Sequence, residues 1–168
     1  MAVVNLLGSR IMTGMEAVPV VLGDPGEAGG RVRTWTETVE VGSADSATST
    51  YLMARIPSNA RILGSSAMWW DDMASAGAPT FDIGIFPVRT GDFTADDDAL
   101  NLDLDAATVQ TAGARVINDI ANFGKRLWEF INGQTTDPNC DCYIKVTLKD
   151  AAVNVGGTLT IQINYICG

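Results

Sequence analysis

Carboxylates are the side chains in this sequence with the clearest capacity for chemistry, and they gather between residues 91 and 105. The stretch contains Asp92, Asp96, Asp97, Asp98, Asp103 and Asp105. Such clusters can hold Ca²⁺, which takes roughly six to eight oxygen ligands, and a carboxylate pair can hydrolyse glycosides. The spacing fits no EF-hand loop, and the central glycine of such a loop is missing. We therefore predict a solvated acidic loop, with calcium binding as the alternative, and assign no metal site.

Cysteine and histidine offer little further chemistry. The sequence contains no histidine, which removes the usual general base at neutral pH and the commonest metal ligand. Cys140 and Cys142 are one residue apart, so a strain-free bridge between them is not expected, and Cys167 is the third cysteine. Two neighbouring sulfurs are too few for a structural zinc site. We predict structural cysteines, no cofactor and no catalytic residue, so the protein is not expected to be an enzyme.

Length and charge exclude several classes of partner. The chain has 168 residues and a net charge of −9, which fits one domain with an acidic surface. Nucleic-acid affinity comes largely from lysine and arginine displacing counterions, so neither DNA, RNA nor an anionic membrane is an expected partner. No apolar run approaches the roughly 20 residues that span a bilayer. The first residues lack the pattern of a secretion signal, and we expect synthesis in a reducing cytoplasm.

Alternating apolar residues predict an all-β fold. Trp35, Val39 and Val41 share one face of a predicted strand, and Leu52, Ala54 and Ile56 share a face of the next. A further apolar run lies at 61–70, and alternating runs lie at 80–86, 143–149 and 159–165; we expect the last two to form a hairpin. Seven or eight strands without βαβ alternation indicate an antiparallel β-sandwich, for which a jelly roll is the expected topology. Meander and immunoglobulin-like topologies stay open.

One inserted α-helix is predicted at residues 115–132. Apolar residues recur there at spacings of three and four, and Asn132-Gly133 provides a stop. The stripe comprises Val116, Ile117, Ile120, Phe123, Leu127 and Ile131. We expect this face to pack against the sheet.

Residues 1–33 do not follow a regular pattern, and we predict an extended N-terminal arm preceding a β-sandwich domain at 34–168. The arm either frays with one or two edge strands or lies on a neighbouring subunit, because exposed apolar side chains usually mark contacts. Its candidate interface residues are Val4, Leu6, Leu7, Ile11, Met12 and Met15.

Trp69 and Trp70 are adjacent, and neighbours on a strand point to opposite faces. Only one of them can enter the core. We assign Trp69 as a candidate interface residue, since tryptophan is enriched at interface hot spots. The alternative is that the loop Met73–Pro79 or the predicted helix covers the outward ring.

Several segments resemble small virion proteins of tailed bacteriophages. The resemblance is carried by residues 54–62, 70–72, 77–84, 96–100, 119–125 and 146–151, which read ARIPSNARI, WDD, GAPTFDIG, DDDAL, DIANFGK and VTLKDA. Some proteins of this kind are similar to capsid decoration, or cement, proteins. The resemblance implies a trimer on the exterior of the virion with the major capsid protein as partner, and no active-site residue. A head-fibre base, a tail component or a carbohydrate-binding sandwich using Trp69 or Trp70 beside Asp71-Asp72 are the alternatives.

Overall fold

Two antiparallel β-sheets packed face to face make up the part of the chain that the computed structural model describes, residues 31–74 and 76–167. The strands are β1 Arg33–Val41, β2 Thr50–Pro57, β3 Ala60–Ile62, β4 Ala67–Trp70, β5 Thr80–Pro87, β6 Asp96–Asp105, β7 Gln110–Arg115, β8 Asp141–Lys149 and β9 Gly157–Cys167. Two short 3-10 turns, Ile120–Asn122 and Leu127–Phe130, lie between β7 and β8. The predicted all-β antiparallel sandwich is confirmed. No helix in these two ranges is long and apolar enough to cross a membrane.

The strand order places sequence neighbours in different sheets. The first sheet runs β1-β9-β4-β7, with β3 also on β9, and the second runs β2-β8-β5-β6. Tyr165 of β9 pairs with Arg33 on one side and Ile62 on the other, so β3 lies on the same side of β9 as β4. Counting β3 and β4 as one interrupted strand leaves four strands in each sheet, which agrees with the jelly roll expected from the sequence. Among the described strands only β5 and β6 are both consecutive and paired, which excludes a meander.

The final two strands are both present, but the hairpin predicted for them is wrong. β8 pairs with β2 and β5 in the second sheet, whereas β9 pairs with β1, β3 and β4 in the first. Their inward residues are fully buried and form the centre of the core between the sheets: Cys142, Ile144, Val146, Leu148, Leu159, Ile161 and Ile163. The alternation therefore predicted the strands correctly, but it carried no information about which strands pair.

A β-bulge changes the expected faces of β2. The register shifts between Leu52 and Ala54, so Met53 and Ala54 are both buried while Leu52 is 49% exposed. A bulge places two residues opposite one and reverses the alternation beyond it. The prediction that Leu52 shares a face with Ala54 and Ile56 is thus wrong for Leu52.

The α-helix predicted at 115–132 is absent. Residues up to Arg115 belong to β7, and the following connection has only the two 3-10 turns. The backbone is extended at Asp119, Phe123 and Arg126, and Gly124 has a φ of +89°. These residues interrupt the segment so often that a continuous α-helix cannot form. Short helices depend on tertiary packing for stability. Four residues of the predicted stripe are buried without a helix, because the irregular connection itself places them in the core: Val116, Ile117, Leu127 and Ile131.

The predicted acidic loop is also partly strand, since Asp96–Asp105 forms β6 at the edge of the second sheet. The arm residues Val4, Leu6, Leu7, Ile11, Met12 and Met15 lie outside the described residues. Their role and the domain boundary near residue 33 stay predictions.

Candidate interaction surface

The tryptophan pair at the end of β4 divides between core and surface, as alternation predicted. Trp70 is 4% exposed and packs edge-to-face on Phe81, with ring centroids 5.9 Å apart. Its Nε1 donates hydrogen bonds to the carbonyl oxygens of Asp105 (3.1 Å) and Thr108 (3.0 Å). These bonds satisfy the indole N–H in the core. Trp69 points the opposite way and is half-buried on the outer face of the first sheet.

Trp69 lies over a glycine of the neighbouring strand. Gly113 of β7 has φ of +83°, and a Cβ there would come within 2.8 Å of Trp69 Nε1. Among the residues that the structure describes, neither the loop Met73–Pro79 nor a helix lines the shallow depression of about 300 Å³ beside the ring. Its lining residues come from β4, β7, β9 and the segments that flank them: Trp69, Trp70, Asp71, Val109, Gln110, Thr111, Thr158 and Thr160.

The outward positions of β1, β4 and β9 around Trp69 carry mostly uncharged polar side chains. Thr38 and Thr160 share a hydrogen bond of 2.9 Å, and the hydroxyl of Thr34 donates to Asn164 Oδ1 at 2.8 Å. Glu40 is the one charged side chain at the outward positions of β1, β4 and β9, and it accepts a hydrogen bond from Thr158. In a chain of net charge −9, such a face lacks the like-charge repulsion that would oppose contact between copies.

Three of the aspartates singled out in the sequence do come together. One carboxylate oxygen from each of Asp96, Asp97 and Asp98 lies within 4.8 Å of the others. Burial, followed by the hydrogen bond and charge of Asp98, raises the pKa of Asp96. Lys149 Nζ donates to Asp97 at 2.6 Å and lies 3.8 Å from Asp82. The cluster thus already has a cationic partner from its own chain.

The environments of Cys140 and Cys142 do not favour a reactive thiolate. Cys142 is fully buried on β8, and burial raises the pKa of its thiol. Burial also raises the pKa of Cys140. Reactive cysteines have lowered pKa values in electropositive, accessible surroundings, so neither thiol has the environment of a nucleophile. All three cysteines are free thiols.

Two apolar residues that the sequence assigned to the core lie at the surface instead. Ile120 is 68% exposed and Phe123 is 38% exposed. Both belong to the connection between β7 and β8, where the Arg115 guanidinium lies 5.9 Å from the centroid of the Phe123 ring. Sequence reasoning missed them as surface residues because their spacing matches a helical stripe, and no local signal separates them from the buried members.

Comparison with known proteins supports the fold. No protein-family description and no curated protein sequence matches the chain. A chain in the cyanophage Pam1 capsid asymmetric unit aligns with 90% of this chain and 96% of its own length, at 15% identity and a TM-score of 0.57. A chain in the capsid of Ralstonia phage GP4 aligns with 95% of this chain and 96% of its own, at 18% identity and a TM-score of 0.60. At such low identity the likeness is one of fold, and it extends over almost the whole chain.

Proposed function

We propose that this protein is a structural, non-catalytic virion protein of a tailed bacteriophage that binds the outside of the head and stabilises it as a decoration, or cement, protein. The observation that carries the proposal is the shared fold with chains in two phage capsids. The alignments cover 90–95% of this chain and 96% of the others, so the matched chains are about as long as this one. The resemblance of the sequence to small virion proteins points the same way.

Charge supports a position on the exterior. With a net charge of −9, the protein would be repelled by DNA packed inside a head, whereas an outer surface imposes no such cost. A protein that contacts adjacent shell subunits only in the assembled state stabilises that state by mass action. The expected partner is therefore the major capsid protein.

The direct test uses heads of the encoding phage assembled without this protein. Purified protein is expected to co-sediment with these heads and to raise the temperature at which they release DNA. Heads of an unrelated phage serve as the control for non-specific binding. Absence of co-sedimentation together with an unchanged release temperature would exclude the decoration role. Gold-labelled antibody on whole virions separates this role from a fibre base or a tail component, because each location predicts a different labelling pattern.

A carbohydrate-binding role is the second candidate, and one local observation favours it. Trp69 and Asp71 line the same depression, so an aromatic ring lies beside a carboxylate as in many sugar sites. Asp71 Oδ2 already accepts a hydrogen bond from the backbone N–H of Thr158 at 2.8 Å. Trp70 does not contribute an exposed ring, because it is buried. Glycan-array binding that is lost in Trp69→Ala, with head binding intact, would support this candidate.

A further inference from the structure

The pair Asn132-Gly133, predicted from the sequence as the stop of a helix, forms a tight turn instead. The turn runs from Ile131 to Gln134, and the Gln134 N–H donates to the Ile131 carbonyl oxygen at 3.1 Å. Gly133 has a φ of +80°, whereas Asn132 does not have a positive φ. This combination fits a type II turn, whose third position favours glycine.

Both residues of the pair are open to water. Asn132 and Gly133 are exposed, and nothing lies within 4 Å of the position that a Cβ of Gly133 would take. The side-chain amide of Asn132 makes no hydrogen bond to any other residue in the described part of the chain. Water and small reagents therefore reach the amide freely.

The two sides of the turn are anchored in the fold. Ile131 is 3% exposed in the core, and its N–H donates to the Trp128 carbonyl oxygen at 3.2 Å. On the other side, the buried Ser58 hydroxyl donates to Asp137 Oδ1 at 2.5 Å. Of residues 132–136 between these anchors, all except Gln134 are exposed. The turn can thus open locally while the core stays intact.

An asparagine followed by glycine has a route to hydrolysis of its own side-chain amide. The backbone nitrogen of the glycine loses its proton to solvent and attacks the asparagine Cγ, which closes a five-membered succinimide ring. The C–N bond to the side-chain NH2 breaks, and that group takes a proton from solvent and leaves as ammonia. Water then opens the ring at either carbonyl group, giving aspartate or isoaspartate. One water enters, one ammonia leaves, and nothing is oxidised or reduced.

We propose that Asn132 is a site of spontaneous deamidation, with water as the co-reactant and aspartate or isoaspartate as the product. Asn132-Gly133 is the one Asn-Gly pair in the sequence, and a glycine has no side chain to crowd the attacking nitrogen. The product adds one carboxylate to a chain of net charge −9. Isoaspartate also inserts a methylene into the backbone of the turn. The inference is independent of the proposed function.

The other eight asparagines of the sequence lack this combination, because each precedes a residue with a side chain. Asn154 is the matched comparison, since it is also exposed in a loop. It precedes the branched Val155, and its Nδ2 donates to the Ala76 carbonyl oxygen at 3.2 Å. Asn101 is protected further, being 6% exposed with its Nδ2 donating to the Arg115 carbonyl oxygen at 2.6 Å.

The first test incubates the folded protein in mildly alkaline buffer and follows each asparagine by peptide mass spectrometry. Deamidation at Asn132 is expected to be at least about tenfold faster than at Asn154, a difference of about 1.4 kcal/mol in activation free energy. Methylation by a protein isoaspartyl methyltransferase with labelled S-adenosylmethionine detects the isoaspartate fraction. The rate is expected to fall in mildly acidic buffer, because the Gly133 nitrogen must lose its proton.

The second test changes the attacking residue. Gly133→Ala is expected to slow deamidation of Asn132 at least about tenfold. The matched control is Gly91→Ala, since Gly91 also has a positive φ and nothing within 4 Å of an added Cβ. This control imposes similar backbone strain elsewhere and is expected to leave the rate at Asn132 unchanged. Thermal melting establishes that both variants fold.

A synthetic peptide of residues 128–136 gives the rate in the absence of the fold. A rate in the folded protein within about tenfold of the peptide's supports the inference, and a slower rate shows that the fold holds the turn against attack and overturns it. Faster deamidation at any other asparagine also overturns it. Gly133→Ala protein that deamidates as fast as the unmodified protein rejects the attack by the Gly133 nitrogen.

Discussion

At the scale of single residues, Gly113 leaves the space that the Trp69 ring occupies on the outer face of the first sheet. Gly113 combines a positive φ with a close indole ring, so an added side chain would meet both backbone strain and a steric clash. Gly133 has nearly the same φ, +80° against +83°, but nothing lies within 4 Å of its added Cβ. The two glycines therefore allow the clash to be separated from the strain.

We predict that Gly113→Ala lowers the free energy of unfolding more than Gly133→Ala does. Both variants incur the left-handed backbone cost of about 1–2 kcal/mol, and only Gly113→Ala also displaces the Trp69 ring. Urea denaturation measures the stabilities, and tryptophan emission reports displacement of the indole. Equal stability losses and unchanged emission in both variants would show that the ring is not held by this contact.

Sequence reasoning succeeded for single residues where alternation was regular and failed where it was interrupted. It assigned one ring of the tryptophan pair to the core and Trp69 to the surface, because β4 continues without a break up to Trp70. It misplaced Leu52, because a bulge is not visible in the spacing of apolar residues. It also placed Ile120 and Phe123 in the core, since a helical stripe and an irregular buried loop can have the same spacing.

At the scale of elements, β6 departs most from a regular strand. Its register against β5 shifts twice, and its backbone at Asp96 and Asp97 lies directly on Gly84, where no Cβ would fit. Irregular, charged edge strands resist pairing with other chains. The same irregular strand covers Asp82 of β5, which is only 6% exposed. The Oδ1 of Asp82 accepts a hydrogen bond from the N–H of Asp103 at 2.9 Å.

The variant Asp82→Asn tests how much the burial of this carboxylate lowers the stability of the fold. Burial raises the pKa of Asp82 above its ordinary value of 3.8, although the hydrogen bond from the Asp103 N–H and the charge of Lys149 act against the rise. Because the folded pKa is the higher one, the stability of the unmodified protein falls as pH rises from the unfolded pKa through the folded pKa. We predict that the stability of Asp82→Asn relative to the unmodified protein increases over that pH interval and then levels off. The asparagine retains an acceptor for the Asp103 N–H.

Denaturation at several pH values between about 3 and 7 measures this difference, covering the range around an ordinary aspartate pKa. A difference between the two proteins that is independent of pH would contradict the assignment. A difference that falls with rising pH would mean that the ion pair with Lys149 outweighs burial.

The elements themselves were largely predictable, but their arrangement was not. Period-two alternation located most of the strands, since each has one buried and one exposed face. The absent helix and the strand within the acidic stretch were missed because tertiary pairing overrides local pattern. Partner choice, such as β8 with β5 and β9 with β4, depends on contacts that no local spacing encodes.

At the scale of the whole molecule, three surfaces of different character point in different directions. The outer face of the first sheet carries Trp69, the connection between β7 and β8 carries the exposed Ile120 and Phe123, and the connections at the opposite end of the strands carry Asp45, Asp71 and Asp72. This separation is compatible with the trimer that the sequence resemblance implies.

We predict that the purified protein is a trimer and that Trp69→Glu shifts it towards smaller species, because a charge would be placed in an apolar contact. Leu102→Glu on the second sheet is the matched control and is expected to leave the mass unchanged. Light scattering coupled to size exclusion measures the mass. Removal of residues 2–30 tests the arm separately: a mass reduced only by this deletion would assign self-association to the arm and not to the sheet face.

One end of the sandwich holds four connections, β1–β2, β4–β5, β6–β7 and β8–β9, and a virion protein of the proposed kind would carry foreign peptides there as a vaccine scaffold. Ser43 and Ala44 are exposed in the β1–β2 connection, beside a turn that Asp45 closes by accepting the Gly42 N–H at 3.0 Å. Under the proposed function, a foreign epitope spliced between Ser43 and Ala44 would be displayed in many copies on each head. Multivalent display of this kind raises the avidity of receptor binding without any new contact.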